Sequence, residues 1–144
     1  MPELPSTPLV GTVVHGAGRG TGLGFPTANL SPAPGTAVPP PAIYSGWLTR
    51  PATGDVHRAT VSIGTNPTFG DFAEVHVEVH CHDAPDGLHL YGERVELRFV
   101  ARLRDTEKFA TVDELLAAAR EDVRRSDALL AAAPRPAAPR PAAP

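Results

Sequence analysis

The chain has 144 residues, a length typical of one domain, and a net charge of −3 from 13 Lys and Arg against 16 Asp and Glu. This charge balance excludes a general electrostatic attraction to nucleic acid, and a single cysteine excludes an internal disulfide framework. The sequence shows no signal peptide and no apolar run of about 20 residues, which predicts a cytoplasmic protein that does not span a membrane.

The first predicted elements are a short strand at residues 9–15 and a glycine-rich loop that follows it. Residues 13–30 read VVHGAGRGTGLGFPTANL. Glycines let the backbone approach an anion closely, and successive N–H groups can then form a phosphate site. The loop is not a Walker A motif, because no Gly-Lys-Ser/Thr precedes a helix. A flexible turn without any ligand is the alternative interpretation of the glycines alone.

A proline-rich segment and a hairpin are predicted next. The prolines of residues 32–41 are incompatible with regular structure, so a surface excursion is expected there. Residues 43–49 and 56–63 are predicted strands, and the Pro and Gly-Asp between them are typical of a turn. Residues 64–70, which read GTNPTFG, are predicted to form a second polar loop.

Two more strands are predicted from alternation of apolar and polar residues. In residues 74–82, Val and Cys alternate with Glu and His, which is the period of a half-buried strand. Cys81 is therefore expected in the core and not as a nucleophile. A turn is predicted at residues 84–87, followed by a strand with Val, Leu and Phe at residues 95–99. Five or six strands this close together predict an antiparallel barrel or sandwich.

The last predicted element is a helix of about 20 residues that ends near Ala133. Thr111 and Glu114 fit a capping box at its start. The apolar face that is predicted to pack on the barrel consists of Val112, Leu115, Leu116, Ala119 and Val123. The domain is thus predicted at residues 1–133, and the Pro/Ala-rich repeat at residues 134–144 is predicted to be a disordered, extended tail.

The most regular strand carries the side chains with the most chemistry. Glu78 could take a proton from a substrate hydroxyl, and Glu74 shares its face and is an equally good carboxylate by composition. A solvated strand face is the alternative for both. His76, His80 and His82 lie on the same face, but same-face neighbours about 7 Å apart could bind zinc only with further ligands from elsewhere.

The ordered series GxVVHGxGRGxxLGFPTANL, IYSGWL, VSIGTNPTFGD, VEVH, LYGE and FVxRLRDxEKF resembles the riboflavin kinase family. The likeness includes the kinase module of bacterial bifunctional FAD synthetases and runs from about Gly11 to Arg125. It implies a six-stranded antiparallel Greek-key β-barrel with a C-terminal α-helix. The activity that it implies is transfer of the γ-phosphoryl group of ATP to the ribityl 5'-hydroxyl of riboflavin, which yields FMN and ADP.

The resemblance also implies roles for individual residues. Glu78 matches the catalytic carboxylate, and Thr27 and Asn29 match the positions that hold Mg²⁺. The nucleotide-binding residues that it implies are Gly16, Gly18, Arg19, Thr27, Asn29, Leu90 and Tyr91. The riboflavin-binding residues that it implies are Arg104, Glu107 and Phe109.

Two departures from the family pattern qualify these expectations. The loop after Gly20 is shorter than in typical relatives, so Arg19 would have to supply a phosphate contact. An adenylyltransferase half is absent from the sequence, so the chain is expected to make FMN and not FAD. A non-catalytic flavin- or nucleotide-binding module on the same barrel is the alternative function, because of the shortened loop.

Overall fold

The computed structural model describes residues 4–14, 27–67, 73–83 and 90–136, without the side chains of residues 65–67 and 73–74. This part of the chain contains six strands and one helix. Their bounds are β1 Leu9–Val14, β2 Ala28–Pro32, β3 Ala42–Arg50, β4 Asp55–Pro67, β5 Ala73–Cys81, β6 Arg94–Arg104 and α1 Val112–Ala132.

The strands close into an antiparallel barrel in the order β1, β2, β5, β4, β3 and β6, and β6 pairs again with β1. The chain therefore leaves β2 for the far side of the barrel before it returns through β4 and β5, which is a Greek-key path. The predicted six-stranded barrel with a C-terminal helix is confirmed.

Alternating apolar residues fill the inside of the barrel. One row of directly paired residues crosses five strands and is at most 5% exposed: Val13, Leu30, Val77, Ile63 and Ala42. Residues one position away in each strand point outward, because successive side chains of a strand face opposite sides of the sheet. The inward row thus fixes which residues are available on the outer surface.

Two stretches that were predicted as loops are strands. Ala28–Pro32 forms β2 because β1 and β5 supply hydrogen-bonding partners on both sides. Pairing with distant strands cannot be predicted from the five residues themselves. Residues 64–67 continue β4, because they pair with the first residues of β5. Tertiary pairing overrides the turn propensity of Gly, Asn and Pro there. Residues 68–70 and 84–87 lie outside the described residues.

Helix α1 begins with a cap formed by two side chains. Thr111 Oγ1 accepts a hydrogen bond from the Glu114 N–H at 3.1 Å, as the capping box predicts. The Glu114 carboxylate accepts from the Ala110 N–H at 3.1 Å. These contacts satisfy backbone donors that the first turn leaves without helical partners. In the part of the chain that the structure describes, no helix is long and apolar enough to cross a membrane.

The predicted barrel-facing side of α1 is wrong for its first turn. Val112 and Leu115 are 50% and 40% exposed, whereas Leu116, Ala119 and Val123 are half-buried. The buried residues are Asp122, Ser126 and Leu130, at a spacing of four. Only the later part of the helix therefore packs tightly, on the outer face of β3, β4 and β6. Polar residues can be buried in this interface because the strands provide hydrogen-bonding partners for them.

The chain after α1 continues along the barrel instead of leaving it. The Arg135 guanidinium lies 5.4 Å from the centre of the Trp47 ring and donates a hydrogen bond of 2.6 Å to the Val56 carbonyl. Residues 5–8 and residues Ala133, Pro134 and Pro136 line one groove of about 280 Å³ beside Trp47. The predicted tail thus begins with docked residues, and residues 137–144 lie outside the described part.

Candidate active site

Asn29, Glu78 and Ser62 form a polar row on the outer surface of the barrel. Asn29 is the direct partner of Glu78, and Glu78 is the direct partner of Ser62. Directly paired residues of antiparallel strands project from the same face. Glu78 is exposed, and the other two are half-buried. The carboxylate, the amide and the hydroxyl therefore converge on one surface from three neighbouring strands.

Thr27 lies at the entrance to β2, two residues before Asn29, and is half-buried. The PTAN motif thereby brings a hydroxyl and an amide to the edge of the barrel next to Glu78. Glu74 belongs to β5 as well, but its side chain lies outside the described residues. The register of β5 therefore places Glu78, the carboxylate that the resemblance implies, beside Asn29 of the PTAN motif.

The LYGE segment lies at the end of β1, from which the glycine-rich stretch departs. The Gly92 N–H donates to the Val13 carbonyl, and the Val13 N–H donates to the Glu93 carbonyl, both at 2.9 Å. Tyr91 is 66% exposed next to these contacts, whereas the Leu90 side chain is 2% exposed and belongs to the barrel core. Leu90 could thus face a ligand only through its backbone.

The glycine-rich residues Gly16, Gly18 and Arg19 lie outside the described residues, so their implied contacts with a nucleotide stay predictions. The described backbone ends at Val14 and resumes at Thr27. Both ends belong to strands or strand entrances that flank the Asn29 and Glu78 pair, since Val14 is the direct partner of Asn29. The segment between them therefore starts and finishes next to the polar row.

Arg104, at the end of β6, is held by the helix. Its Nε and Nη2 donate to the two carboxylate oxygens of Asp122 at 2.9 and 2.8 Å. The guanidinium also lies 5.7 Å from the centre of the Phe109 ring. Asp122 is 5% exposed, so this two-point ion pair fixes the direction of the Arg104 side chain. Arg104 and Phe109 are thus brought together, as their implied common role requires.

The charge on Arg104 is stabilised by its surroundings. The hydrogen bond that the guanidinium donates to Asp122 is the main cause that raises its pKa, and the nearby carboxylate of Glu107 adds to it. Glu107 itself is exposed, whereas Phe109 is half-buried. The three residues that the resemblance assigns to riboflavin therefore form a connected group that follows β6, with one cation, one exposed carboxylate and one aromatic ring.

The zinc alternative for the histidines of β5 finds no support in the described residues, in which no group of three or more His, Cys, Asp or Glu could hold a metal ion. His82 instead points into the interface with α1, where both of its ring nitrogens have hydrogen-bonding partners. Cys81 is 9% exposed, and burial raises the pKa of its thiol to about 12. It is a core residue, as predicted, and not a thiolate nucleophile.

Sequence reasoning missed Asp122 as a residue of this surface. The sequence does contain an indication of this face, because Asp122, Ser126 and Leu130 are spaced four residues apart and so lie on one side of a helix. Their polar character concealed that this face is buried. Ser62 was also missed as a partner of Glu78, because the partner of a strand residue depends on the register between two strands.

The chemistry of this surface divides into two ends. Thr27, Asn29 and Glu78 provide neutral and anionic oxygen atoms, the ligand type that Mg²⁺ prefers. Arg104 and Phe109 provide a cation and an aromatic face. β3 and β4 separate β6 from β5, so Glu78 and Arg104 lie about 14 Å apart around the barrel, and α1 covers β3 and β4 between them.

A family model and individual relatives both identify the same family for this chain. The family model for riboflavin kinase, described as Flavokinase, matches residues 6–130. A bifunctional riboflavin kinase/FMN adenylyltransferase of Listeria monocytogenes is 33% identical over 84% of this chain, which spans 37% of that relative. The riboflavin kinase of Homo sapiens is 34% identical over 81% of this chain and 76% of that protein.

A solved structure agrees with the sequence relatives. The crystal structure of riboflavin kinase from Trypanosoma brucei superposes with a TM-score of 0.64 at 25% identity, and the match covers 87% of this chain and 81% of that one. The residues that the family model matches, 6–130, include the barrel, most of the helix and the described residues of the candidate site. The chain belongs to the riboflavin kinase family.

Proposed function

We propose that this chain is an ATP-dependent riboflavin kinase, which transfers the γ-phosphoryl group of ATP to the ribityl 5'-hydroxyl of riboflavin and releases FMN and ADP. The observation that carries the proposal is the direct pairing of Asn29 with Glu78. It brings the candidate base next to the residues proposed to hold the phosphates. Family membership supports the same reaction.

Glu78 is proposed to act on the acceptor hydroxyl. A primary alcohol is a weak nucleophile at neutral pH, and a carboxylate within hydrogen-bonding distance can orient it and accept its proton as the bond to phosphorus forms. Glu78 is exposed on the outer face, so a substrate can reach its oxygens. Phosphoryl transfer depends mainly on positioning and on charge neutralisation, so one well-placed carboxylate would be enough to act on the acceptor hydroxyl.

Thr27 and Asn29 are proposed to hold Mg²⁺ together with the ATP phosphates. The fit rests on their chemistry, because a hydroxyl oxygen and an amide oxygen are hard ligands and lie two residues apart beside Glu78. When bound, Mg²⁺ would neutralise negative charge on the phosphates. Tyr91 and the backbone of Leu90 are proposed to border the nucleotide, and Gly16, Gly18 and Arg19 to cover its phosphates.

Riboflavin is proposed to bind with its ring system near Phe109 and Arg104, where a cation and an aromatic face lie together, and with its ribityl chain extending toward Glu78. The exposed carboxylate of Glu107 could accept hydrogen bonds from the polar edge of the rings.

The proposed setting is the cytoplasm, with riboflavin and ATP as the small-molecule partners. The buried free thiol of Cys81 is compatible with a reducing compartment. The chain spans about a third of the length of the bifunctional bacterial relatives, and the product proposed for the part given is FMN.

The test is to incubate the purified chain with riboflavin, ATP and Mg²⁺ and to separate the flavins by chromatography. Formation of FMN and ADP in equal amounts is expected, and EDTA should abolish it. Binding of riboflavin without consumption of ATP would overturn the kinase and favour the non-catalytic flavin-binding module. Failure to bind either substrate would remove both functions.

A further inference from the structure

His82 directly follows β5, and its side chain is only 2% exposed between the sheet and α1. Its Nδ1 lies 2.6 Å from the Asp127 carboxylate of α1, and its Nε2 lies 2.6 Å from the Thr60 hydroxyl of β4. One neutral tautomer satisfies both partners, since Nδ1–H donates to the carboxylate and Nε2 accepts from the hydroxyl. A neutral imidazole of this tautomer therefore leaves neither ring nitrogen without a partner.

The charged groups that face His82 come from three elements. Asp127 belongs to α1, Arg58 of β4 lies 3.2 Å from the same Asp127 oxygen, and the ring centre of His80 of β5 is 5.8 Å from that of His82. Burial lowers the pKa of His82, Asp127 raises it, and His80 and Arg58 lower it further. Protonation would also turn Nε2 from an acceptor into a donor, so the Thr60 hydroxyl would have to rotate and accept from it.

The position of His82 connects it to the candidate base. At Glu78, β5 is paired on both sides, with β2 and with β4. The pairing with β2 ends at Val79, whereas the pairing with β4 continues to Cys81. His82 lies four residues beyond Glu78 and therefore about 13 Å along the strand, on the same face. His82 contacts α1 directly after β5 ends.

Helix α1 connects this contact to the other end of the site. Asp127, which binds His82, is five residues from Asp122, which binds Arg104. A packed helix transmits such contacts as one rigid unit, so a shift at Asp127 would move Asp122 as well. His82 and Arg104 are therefore linked through two residues of the same helix.

We propose that His82 is a positioning residue whose neutral imidazole fastens β5 to α1 and thereby sets the placement of Glu78 relative to Arg104, and that protonation of the ring loosens this contact. The catalytic consequence rests on the proposed riboflavin kinase function. The proton-sensitive contact between β5 and α1 does not depend on that function, and it can be measured in the absence of any turnover.

The stability test uses urea unfolding at pH 7.5 and pH 5.5. A histidine whose folded-state pKa is lowered binds fewer protons when folded, so its stabilisation is present above about pH 6.5 and declines as the pH falls below that value. The wild type should therefore lose more stability between the two pH values than His82→Gln, which cannot titrate. Equal losses in the two proteins would overturn the proposed contact.

His57→Gln is the matched control. The His57 Nδ1 lies 3.0 Å from Asp83, so this pair also joins β4 to the end of β5, by a hydrogen bond that does not involve α1. It should show the wild-type pH dependence of stability. If His57→Gln and His82→Gln alter that dependence equally, the effect would be a general property of histidine removal, and the proposal would be wrong.

The activity test separates positioning from simple destabilisation. At pH 7.5 and a temperature at which all variants are folded, His82→Gln should lower kcat on the order of 10- to 100-fold with a smaller change in the KM for ATP. Its acid limb in the pH profile of kcat should be flatter than that of the wild type. A wild-type kcat with a wild-type acid limb would refute the positioning role. If neither the wild type nor any variant turned over substrate, the proposed kinase function would be refuted. The unfolding experiment alone would then test the contact of His82 with α1.

Discussion

Asn29 and Glu78 are direct partners in the antiparallel pairing of β2 with β5, and both side chains face the outside of the barrel. Their inward neighbours Leu30 and Val77 are buried in the core. A slip of one residue in this register would expose Val77 and bury Glu78, so hydrophobic packing holds the polar pair in place. The core thus specifies the geometry of the candidate site.

The first prediction distinguishes the two carboxylates of β5. Glu78→Gln keeps the shape of the side chain and removes its capacity to accept a proton, so kcat should fall on the order of 10²- to 10⁴-fold while riboflavin and ATP still bind. Glu74→Gln is the control and should lose little activity. Steady-state kinetics and isothermal titration calorimetry measure the two effects. If Glu74→Gln lost its activity and Glu78→Gln kept it, the catalytic carboxylate would be Glu74, four residues earlier on β5.

The second prediction concerns the proposed metal ligand Thr27. Thr27→Ala removes a hydroxyl oxygen, so phosphorylation should require a higher Mg²⁺ concentration, whereas riboflavin affinity should change little. Thr27→Ser restores the oxygen and should restore the Mg²⁺ dependence. The measurement is a Mg²⁺ titration of initial rates for the three proteins. If Thr27→Ala reaches half-maximal rate at the wild-type Mg²⁺ concentration, Thr27 has no role in metal binding.

The third prediction concerns the ion pair between Asp122 and Arg104. Asp122→Asn removes the buried charge that holds the guanidinium, so the free energy of unfolding should fall by about 1.5–3 kcal/mol. The KM for riboflavin should rise, because Arg104 would no longer be fixed near Phe109.

The neighbouring exposed pair of Glu121 with Arg124 provides the control for this variant. Glu121→Gln should leave both stability and the KM for riboflavin nearly unchanged, since exposed helical ion pairs contribute little. A destabilised Asp122→Asn with an unaltered KM would show that the ion pair supports the fold alone.

The fourth prediction concerns the alkaline stability of the barrel. The folded-state pKa of the Cys81 thiol is raised to about 12 by burial, so above about pH 9 the unfolded chain releases a proton that the folded chain retains. Stability should therefore fall as the pH rises, with a slope that approaches about 1.4 kcal/mol per pH unit from this residue.

Urea unfolding of the wild type and of Cys81→Val between pH 8 and pH 10.5 measures this contribution. Cys81→Val keeps a side chain of similar size and should show a shallower decline. Disulfide exchange with a chromogenic thiol reagent at pH 8 should proceed only after urea is added. Rapid labelling of the folded wild type would contradict the buried position of the thiol.

Much of the barrel could be predicted from the sequence, because alternation reports directly which residues are buried. The hairpin of β3 with β4 and the strand that carries Glu78 followed from this pattern. β2 did not, since its five residues become a strand only through pairing on both sides. The pairing of Asn29 with Glu78 is a relation between two distant segments, which no local pattern contains.

The helix shows where periodicity is insufficient. Apolar spacing selected Val112 and Leu115 for the packed face, but both are exposed. The packed residues Asp122 and Ser126 are polar, and their burial is favourable only because Arg104 on β6 and the hydroxyl of Ser45 meet them. Such partners are known only once the barrel has closed, so the sequence alone could not predict which side of the helix the barrel covers.

The groove beside Trp47 has a consequence for how this domain can be joined to others. Residues 5–8 and residues Ala133, Pro134 and Pro136 line it together, so the beginning and the end of the described domain run side by side. A circularly permuted chain could join them with a short linker and open elsewhere. The same closeness means that a domain attached at either end would begin from the same side of the barrel.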